Sequence, residues 1–197
     1  AVAGQIARAG GLPVRRGIAP DNFDKLESAA ESALAEADAL VLSAGSSVSV
    51  RDMTADVVNG LGQPGMLVHG VAVKPGKPTI LAVTDGKPVF GLPGNPVSAM
   101  VIADLFVVPT IYRMQGCLNP PPRQSVPAKL THNIPSQAGR VDYIPARLIQ
   151  RGGEQWAEPV FGKSNQIFTL VFANGMIVIP SDANGVEAGE DVDVRLF

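Results

Sequence analysis

Three consecutive prolines, Pro120-Pro121-Pro122, divide this 197-residue chain into two parts whose residue patterns differ. Proline fixes φ and removes a backbone donor, so the run predicts a stiff linker rather than a helix or strand. Helical and strand patterns alternate before it, and short strands with turn signals follow it. We predict an α/β domain over residues 1–116, a proline-rich linker over residues 117–124 and a small, mainly β domain over residues 125–197.

The first part begins with alternating helices and strands. A helix over residues 1–11, a short strand over residues 12–17 and a helix capped by Asp21 are followed by the apolar run 39–42. That run is typical of a strand buried on both faces, and a further helix contains Val57 and Val58. The alternation predicts a three-layer α/β fold with a mostly parallel sheet.

The pattern changes after the helix that contains Val57. Three strand candidates, residues 67–73, 79–84 and 89–92, have no helix between them. Asp85-Gly86 is a tight-turn pair that predicts a hairpin between the last two strands. A long apolar helix is then expected from Pro96 to about residue 115.

The second part has the pattern of a small barrel-like β domain. Gly152-Gly153 predicts a hairpin, and residues 165–173 favour a short helix or a loop. The expected strands are residues 128–134, 142–149, 155–160, 176–179 and 192–197.

Composition excludes several classes of protein. A net charge of −2 disfavours a general nucleic-acid binder, whose footprint would be strongly basic. The single cysteine, Cys117, cannot form an internal disulfide, and His69 and His132 are too few for a zinc site. Asp104 and Pro109 interrupt the most apolar run, which is shorter than the roughly 20 residues of a membrane span. We therefore expect a cytoplasmic protein that uses neither membrane nor nucleic acid.

The motif GLPGNPVSA, residues 91–99, joins a buried strand to a helix. Asn95 is a favoured N-cap, Pro96 suits the first helical position, and Gly94 allows close approach of the backbone. The amides and dipole at a helix start attract anions, so this turn predicts an anion site. The alternative is an ordinary strand-to-helix turn, although two prolines bracketing Gly-Asn are unusual in one.

The segment KPGKP, residues 74–78, presents two ammonium groups, Lys74 and Lys77, from a turn stiffened by proline. Such a pair suits phosphate or another tetrahedral oxyanion. Taken alone, a solvated turn that uses lysine for solubility explains this segment better.

A loop of small residues follows the strand at 39–42, and Ser43, Gly45, Ser46 and Ser47 could let its amides line a phosphate or a pterin. Asp52 could cap the next helix or bind a divalent cation. Capping alone also explains Asp21. Loops at the carboxyl ends of strands in an open α/β sheet meet at one crevice, so these groups are expected to converge.

At these motifs the sequence resembles a known family. KPGKPT and GLPGNPVSA are similar to the signature of the molybdopterin molybdenumtransferases, which include the gephyrin C-terminal domain, and SAGSSVSVRD resembles their SGGVSVGD. The segments AGRVDYIPARL, PVFGKSNQI and GMIVIP resemble the small β domain of that family. The resemblance implies a three-layer molybdopterin-binding fold. It also implies an enzyme that hydrolyses adenylylated molybdopterin with Mg²⁺ and molybdate, inserts molybdenum into the dithiolene and releases AMP.

The resemblance also implies roles for individual residues. Asp21 and Asp52 correspond to active-site carboxylates and Mg²⁺ ligands, and Lys74 and Lys77 to oxyanion-binding lysines. The residues expected to contact the pterin substrate are Ser43, Gly45, Ser46, Ser47, Pro93, Gly94, Asn95, Pro96, Ser98, Arg140, Ser164 and Asn165.

The sequence also departs from the family pattern. Ala44 and Ser49 stand where the family often has glycine, and Gly70 replaces a lysine of some members. The first strand of the α/β domain and two N-terminal domains are expected but absent. The chain is therefore expected to be a fragment, and its activity alone stays open at this point.

The resemblance implies two partners, a second copy in a homodimer of the intact protein and an upstream molybdopterin adenylyltransferase. Three alternative functions stay open: a molybdopterin adenylyltransferase, which lacks the β domain; a nucleotide-amide hydrolase on the same α/β domain; and a gephyrin-like scaffold. The sequence does not distinguish molybdate from tungstate.

Overall fold

The structure is a computed structural model that describes residues 1–43 and 48–197, apart from the side chains of residues 48–52. The elements in chain order are α1 (Val2–Arg8), α2 (Phe23–Glu36), β1 (Leu40–Ser43), α3 (Val48–Gly60), β2 (Pro64–His69), β3 (Val73–Lys74), β4 (Ile80–Thr84), β5 (Lys87–Leu92), α4 (Pro96–Ile102), a π-helical turn (Ala103–Val107), α5 (Val108–Met114), β6 (Ser125–Leu130), β7 (Ile134–Pro135), β8 (Val141–Arg151), β9 (Glu154–Pro159), α6 (Phe168–Val171), β10 (Gly175–Ile179), β11 (Gly185–Val186) and β12 (Asp191–Leu196).

The described chain forms two compact units. The first unit comprises residues 1–71 and 76–118, and the second comprises residues 72–75 and 119–197. The short strand β3 therefore belongs to the second unit, although in the sequence it comes between β2 and β4 of the first unit.

A four-stranded sheet in the order β1-β5-β4-β2 forms the centre of the first unit. The β1–β5 pairing is parallel, whereas β5–β4 and β4–β2 are antiparallel. An α/β fold is confirmed, but a mostly parallel sheet is not, because one of the three pairings described is parallel. The reason is local: two short connections, residues 70–79 and Asp85-Gly86, reverse the chain without the crossover that a parallel pair needs.

The Asp85-Gly86 turn matches its prediction. Both residues have positive φ, 49° and 84°. This is the conformation that a two-residue hairpin loop requires, and Asn or Asp followed by Gly adopts it most readily. Thr84 lies opposite Lys87 across the turn.

Helices α2 and α3 cover one face of this sheet. Their side chains form a cluster with alternate residues of the strands, as the two-residue period of a strand requires. The buried members are Ala30, Ala33, Leu34, Leu40, Ala55, Val57, Val58, Ile80, Ala82 and Val89.

Two expectations for the segment before α2 are wrong. Residues 12–17 form no strand, and Leu12 is 93% exposed, because no described strand lies beside them to pair with their backbone. Asp21 does not cap α2: Asn22 is the N-cap, and its side chain accepts a hydrogen bond from the Lys25 amide at 3.1 Å. Asn22 precedes the first helical residue, Phe23, which places Asp21 one position outside the cap.

The long helix predicted from Pro96 is confirmed over Pro96–Met114, with the π-helical turn in its middle. By length and composition alone this helix could cross a membrane. It contacts β5 and α1 in the first unit, and Ile102, Ala103 and Val107 are buried. A helix of a protein core passes the same test of length and apolarity.

The second unit is barrel-like, as predicted. Its strands follow the order β10-β12-β6-β9-β8, and an antiparallel β8–β10 pairing closes the ring. Strand β3 adds to β8 at the edge. Gly152-Gly153 forms the predicted hairpin, with Arg151 opposite Glu154. The interior holds Ala128, Leu130, Ile134, Ala146, Ala157, Ile177, Ile179 and Val194.

Candidate functional site

Several predicted loops of the first unit leave its sheet at one edge. The parallel β1–β5 register places Ser43 opposite Leu92, so the chain leaves both strands side by side. Ile80, at the start of β4, pairs with Gly91 on one side and with His69, the last residue of β2, on the other. We call this end of the sheet, marked by Ser43, His69, Ile80 and Leu92, the loop edge. Carboxyl ends of parallel strands are the usual binding position in an open α/β sheet.

The turn between β2 and β4 is fixed by hydrogen bonds. Gly70 N donates to Thr79 O at 2.7 Å, and Val71 N donates to Lys77 O at 2.9 Å. The Thr79 hydroxyl donates to Gly76 O at 2.6 Å, and Thr79 is 0% exposed. The Lys77 side chain is exposed at the loop edge, while its backbone is held in place.

The turn between β5 and α4 lies at the same edge. Pro93 is buried, Gly94 is exposed, and Pro96 takes the first helical position as predicted. As predicted, Asn95 is the N-cap, with the extended backbone of that position, although its side chain makes no capping hydrogen bond. Its carbonyl accepts from Ala99 N at 2.9 Å instead.

The first backbone N–H groups of α4 have no hydrogen-bond acceptor within the helix. The first hydrogen bond within the helix comes from Ala99, so the amides of Val97 and Ser98 have no acceptor inside it. Such amides, together with the positive end of the helix dipole, suit an oxyanion. The Ser98 side chain is buried.

A small recess opens between these turns. Its lining comes from α3, β2, β4, the end of β5 and both turns: Thr54, His69, Pro78, Ile80, Gly91, Leu92 and Pro93. The structure thus brings Pro78, the last residue of the KPGKP segment, and Pro93 of the GLPGNP turn to one surface. Sequence reasoning missed Thr54, which lies on α3.

The two predicted active-site carboxylates are Asp21 and Asp52. Asp52 belongs to α3, but its side chain is outside the described part of the structure, as are Ala44, Gly45, Ser46, Ser47 and the Ser49 side chain. Asp21 is exposed, and it follows no strand, so the convergence argument does not apply to it.

A metal site is not assembled by the side chains described. Residues 1–43 and 53–197 contain no group of three or more His, Cys, Asp or Glu that could hold a metal ion. The Asp52 side chain lies outside these ranges, so the predicted pair of magnesium ligands, Asp21 and Asp52, stays a prediction.

In the second unit, Asp142 joins two of the predicted cations. The side chain of Asp142 is 0% exposed; Arg140 Nε lies 2.8 Å from its Oδ1, and Lys74 Nζ lies 3.6 Å from its Oδ2. Sequence reasoning missed Asp142, although an acidic residue inside a predicted strand was a usable signal.

Ser164 and Asn165 lie between β9 and α6 in the same unit. Gln166 N donates to Lys163 O at 2.9 Å, which closes a turn around them. Ser164 is half-buried and Asn165 is exposed.

Comparison with known proteins connects these features to a family. Residues 1–113 match the family described as a probable molybdopterin binding domain, and residues 127–197 match the MoeA C-terminal region, domain IV. The two matches together cover the chain apart from residues 114–126, which include the linker.

The names of individual relatives agree with these two family matches. A putative molybdopterin biosynthesis protein of Methanocaldococcus jannaschii is 37% identical over 91% of this chain and 42% of its own length. The molybdopterin molybdenumtransferase of Bacillus subtilis is 32% identical over 98% of this chain and 45% of its own. The chain therefore spans less than half the length of these relatives.

A solved structure, that of the molybdopterin biosynthesis MoeA protein of Pyrococcus horikoshii, has a TM-score of 0.82 and 34% identity to this chain. The similarity covers 99% of this chain and 46% of that one. Since the first family match alone covers more than half of the residues, this chain belongs to the molybdopterin-binding family and carries a MoeA C-terminal region.

Proposed function

We propose that this chain forms part of a molybdopterin molybdenumtransferase. The intact enzyme inserts molybdenum from molybdate into adenylylated molybdopterin, requires Mg²⁺, and releases AMP. The observation that supports this most is the β1–β5 register. It brings the end of β1 at Ser43 beside the GLPGNP turn after Leu92, at the edge that also carries the KPGKP turn.

The loop edge supplies the kinds of groups that a phosphorylated pterin needs. The amides of Val97 and Ser98 and the helix dipole attract a phosphate, and Gly94 admits it close to the backbone. Ser43 is the last residue of β1, where the connection to α3 begins. We propose Gly45, Ser46 and Ser47 of that connection as further contacts. Pro93, Asn95 and Pro96 shape the opposite side.

Lys77 is proposed as an oxyanion-binding group at this edge. Its ammonium is exposed, and a charge-assisted hydrogen bond to an oxyanion is about twice as strong as a neutral one. Lys74 and Arg140 are proposed to bind an oxyanion at the second unit, with Ser164 and Asn165 as additional contacts there.

Asp21 and Asp52 are retained as the proposed Mg²⁺ ligands on the resemblance alone. When bound, such an ion neutralises charge on a pyrophosphate. The proposed reaction breaks the phosphoanhydride bond of the adenylylated substrate with water, which gives AMP and molybdopterin. The two dithiolene thiols then form two Mo–S bonds with molybdate, and one oxo group leaves as water with the two thiol protons.

The intact protein is proposed to act in the cytoplasm as a homodimer, taking its substrate from a molybdopterin adenylyltransferase. A closed β barrel follows the α/β unit in the sequence. Because a molybdopterin adenylyltransferase is expected to lack the β domain, the barrel favours an insertase.

The proposal is tested in a chimaera, because the chain spans less than half of its relatives. Residues 1–197 replace the matching segment of the Bacillus subtilis molybdenumtransferase, and the product is expressed in cells without an insertase. We expect molybdoenzyme activity to return, with AMP release from adenylylated molybdopterin in vitro. A folded chimaera that restores neither contradicts the proposal, and partner binding without rescue would favour a scaffold.

A further inference from the structure

The most unusual charged group in the second unit is the buried carboxylate of Asp142. Its side chain is 0% exposed. Oδ1 accepts a hydrogen bond from Arg140 Nε at 2.8 Å. Oδ2 is buried and has no hydrogen-bond donor among the described residues, although Lys74 Nζ lies 3.6 Å away.

Backbone register explains why these three side chains meet. Strands β3 and β8 run parallel, with Val73 opposite Val141 and Lys74 opposite Asp142. Arg140 immediately precedes β8 and lies two residues from Asp142. A carboxylate without water is costly unless cations and hydrogen bonds compensate its charge, and Lys74 and Arg140 supply that compensation.

Both cations keep donors for another ligand. Arg140 uses Nε for Asp142, and among the residues described its Nη1 donates to Gln137 Oε1 alone, at 3.4 Å. The Lys74 ammonium has no hydrogen-bond acceptor in the part of the chain that the structure describes, and its side chain is 54% exposed. The cluster thus presents two cations outward over one carboxylate, with a net charge of +1.

We infer that Asp142 is a positioning residue of an oxyanion site: its buried carboxylate holds Arg140 and Lys74 together so that their remaining donors take one tetrahedral oxyanion. Asp142 does not touch the ligand and acts through the two cations. The identity of the oxyanion rests on the proposed function, in which molybdate and the phosphate of the adenylylated substrate share this chemistry.

Positioning and simple electrostatics predict opposite results when the charge of Asp142 is removed. Asp142→Asn keeps the size of the side chain and raises the net charge of the cluster from +1 to +2. If Asp142 only supplied negative charge, the substitution would strengthen oxyanion binding. If Asp142 positions the cations, binding weakens despite the added positive charge.

The experiment is calorimetric titration of the full chain with sodium molybdate and, separately, with AMP, at fixed ionic strength. We expect Asp142→Asn to weaken binding of at least one of them by about tenfold or more, as loss of a charged hydrogen bond does. Loss for molybdate identifies a molybdate site, and loss for AMP identifies a phosphate site.

The matched control is Glu158→Gln. Glu158 accepts hydrogen bonds from Arg147, its partner across the β8–β9 pair in the same unit, with Nη2 to Oε2 at 2.6 Å. This control changes the net charge of the protein by the same amount without touching Lys74 or Arg140. Its binding of molybdate and AMP should equal that of the wild type.

Further variants keep the test informative if Asp142→Asn does not fold. Lys74→Gln and Arg140→Gln should each weaken binding of the same ligand by about tenfold. In a Lys74→Gln/Arg140→Gln background, adding Asp142→Asn should cause no further loss, because the residues act as one unit.

The inference is overturned if the wild-type chain binds neither ligand, if folded Asp142→Asn binds as tightly or more tightly, or if neither cation variant loses affinity. It is also overturned if Asp142→Asn lowers affinity further when both cations are gone. Failure of the chimaera to insert molybdenum, with these binding losses intact, would instead contradict the proposed function and leave the oxyanion site standing.

Discussion

Ser43 and Leu92 lie opposite one another as the last residues of two parallel strands, β1 and β5. The pairing fixes where the next segments begin: the loop of small residues and the GLPGNP turn leave the sheet side by side. Gly91, one residue earlier, pairs with Ile80, which follows the KPGKP turn. Three segments that are distant in the sequence therefore share one edge.

Lys77→Ala in the chimaera should raise the molybdate concentration required for half-maximal insertion. Loss of a charge-assisted hydrogen bond costs about 1.5–3 kcal/mol, which corresponds to about a 10- to 100-fold effect. The measurement is the initial rate of molybdenum insertion against molybdate concentration. Lys25→Ala, which removes an exposed lysine on α2, is the control and should match the wild type. Full-rate insertion by Lys77→Ala at limiting molybdate would refute the role.

Gly91→Ala should destabilise the first unit by about 1–3 kcal/mol, the usual cost of overpacking. A Cβ on residue 91 would lie 2.9 Å from Ile80 Cβ and 3.2 Å from Ile80 Cδ1. Urea unfolding of the full chain measures the change. Gly4→Ala is the control, because a Cβ there meets no atom within 4 Å and alanine favours helix. Equal stability of the two variants would contradict the contact.

Thr79→Val should cost about 1–3 kcal/mol, because it leaves the buried Gly76 carbonyl without its hydroxyl donor while preserving side-chain volume. Thr110→Val is the matched control. The Thr110 hydroxyl donates to Phe106 O at 2.7 Å, but Thr110 is only half-buried, so water can replace it. We expect a clearly smaller loss for Thr110→Val in the same urea titration. A larger loss there would show that Thr79 does not fix the KPGKP turn.

Asn22→Ala and Asp21→Ala should differ in their effect on α2. Removing an N-cap side chain costs about 1 kcal/mol, and Asn22 makes the capping bond to Lys25 N. Asp21 lies outside the cap, so its loss should cost less than about 0.5 kcal/mol, as for an ordinary surface substitution. Thermal unfolding of both variants decides between them, and a larger loss for Asp21→Ala would restore Asp21 as the cap.

Local patterns predicted most elements correctly. Asp85-Gly86, Gly152-Gly153 and Pro96 were informative because a tight turn or a helix start depends on the backbone preferences of one or two residues. The segment 12–17 was not predictable in this way, since a strand needs a partner that the local pattern does not reveal.

The candidate site was predictable only in part. KPGKP and GLPGNP were found as motifs, and the structure brings Pro78 of the first and Pro93 of the second to the loop edge. Asp142 was missed because its importance depends on the β3–β8 register, which joins residues 68 positions apart in sequence. The prediction of a mostly parallel sheet was not confirmed for a related reason. The two short connections, residues 70–79 and Asp85-Gly86, leave no room for the crossover that a parallel pair needs.

The most direct test of the central claim is a crystal structure of the chain with adenylylated molybdopterin. We expect the pterin phosphate within hydrogen-bonding distance of the amides of Val97 or Ser98, beside Ser43. Ligand density at the opposite end of the sheet, near Asp85-Gly86, with the loop edge empty, would contradict the proposal.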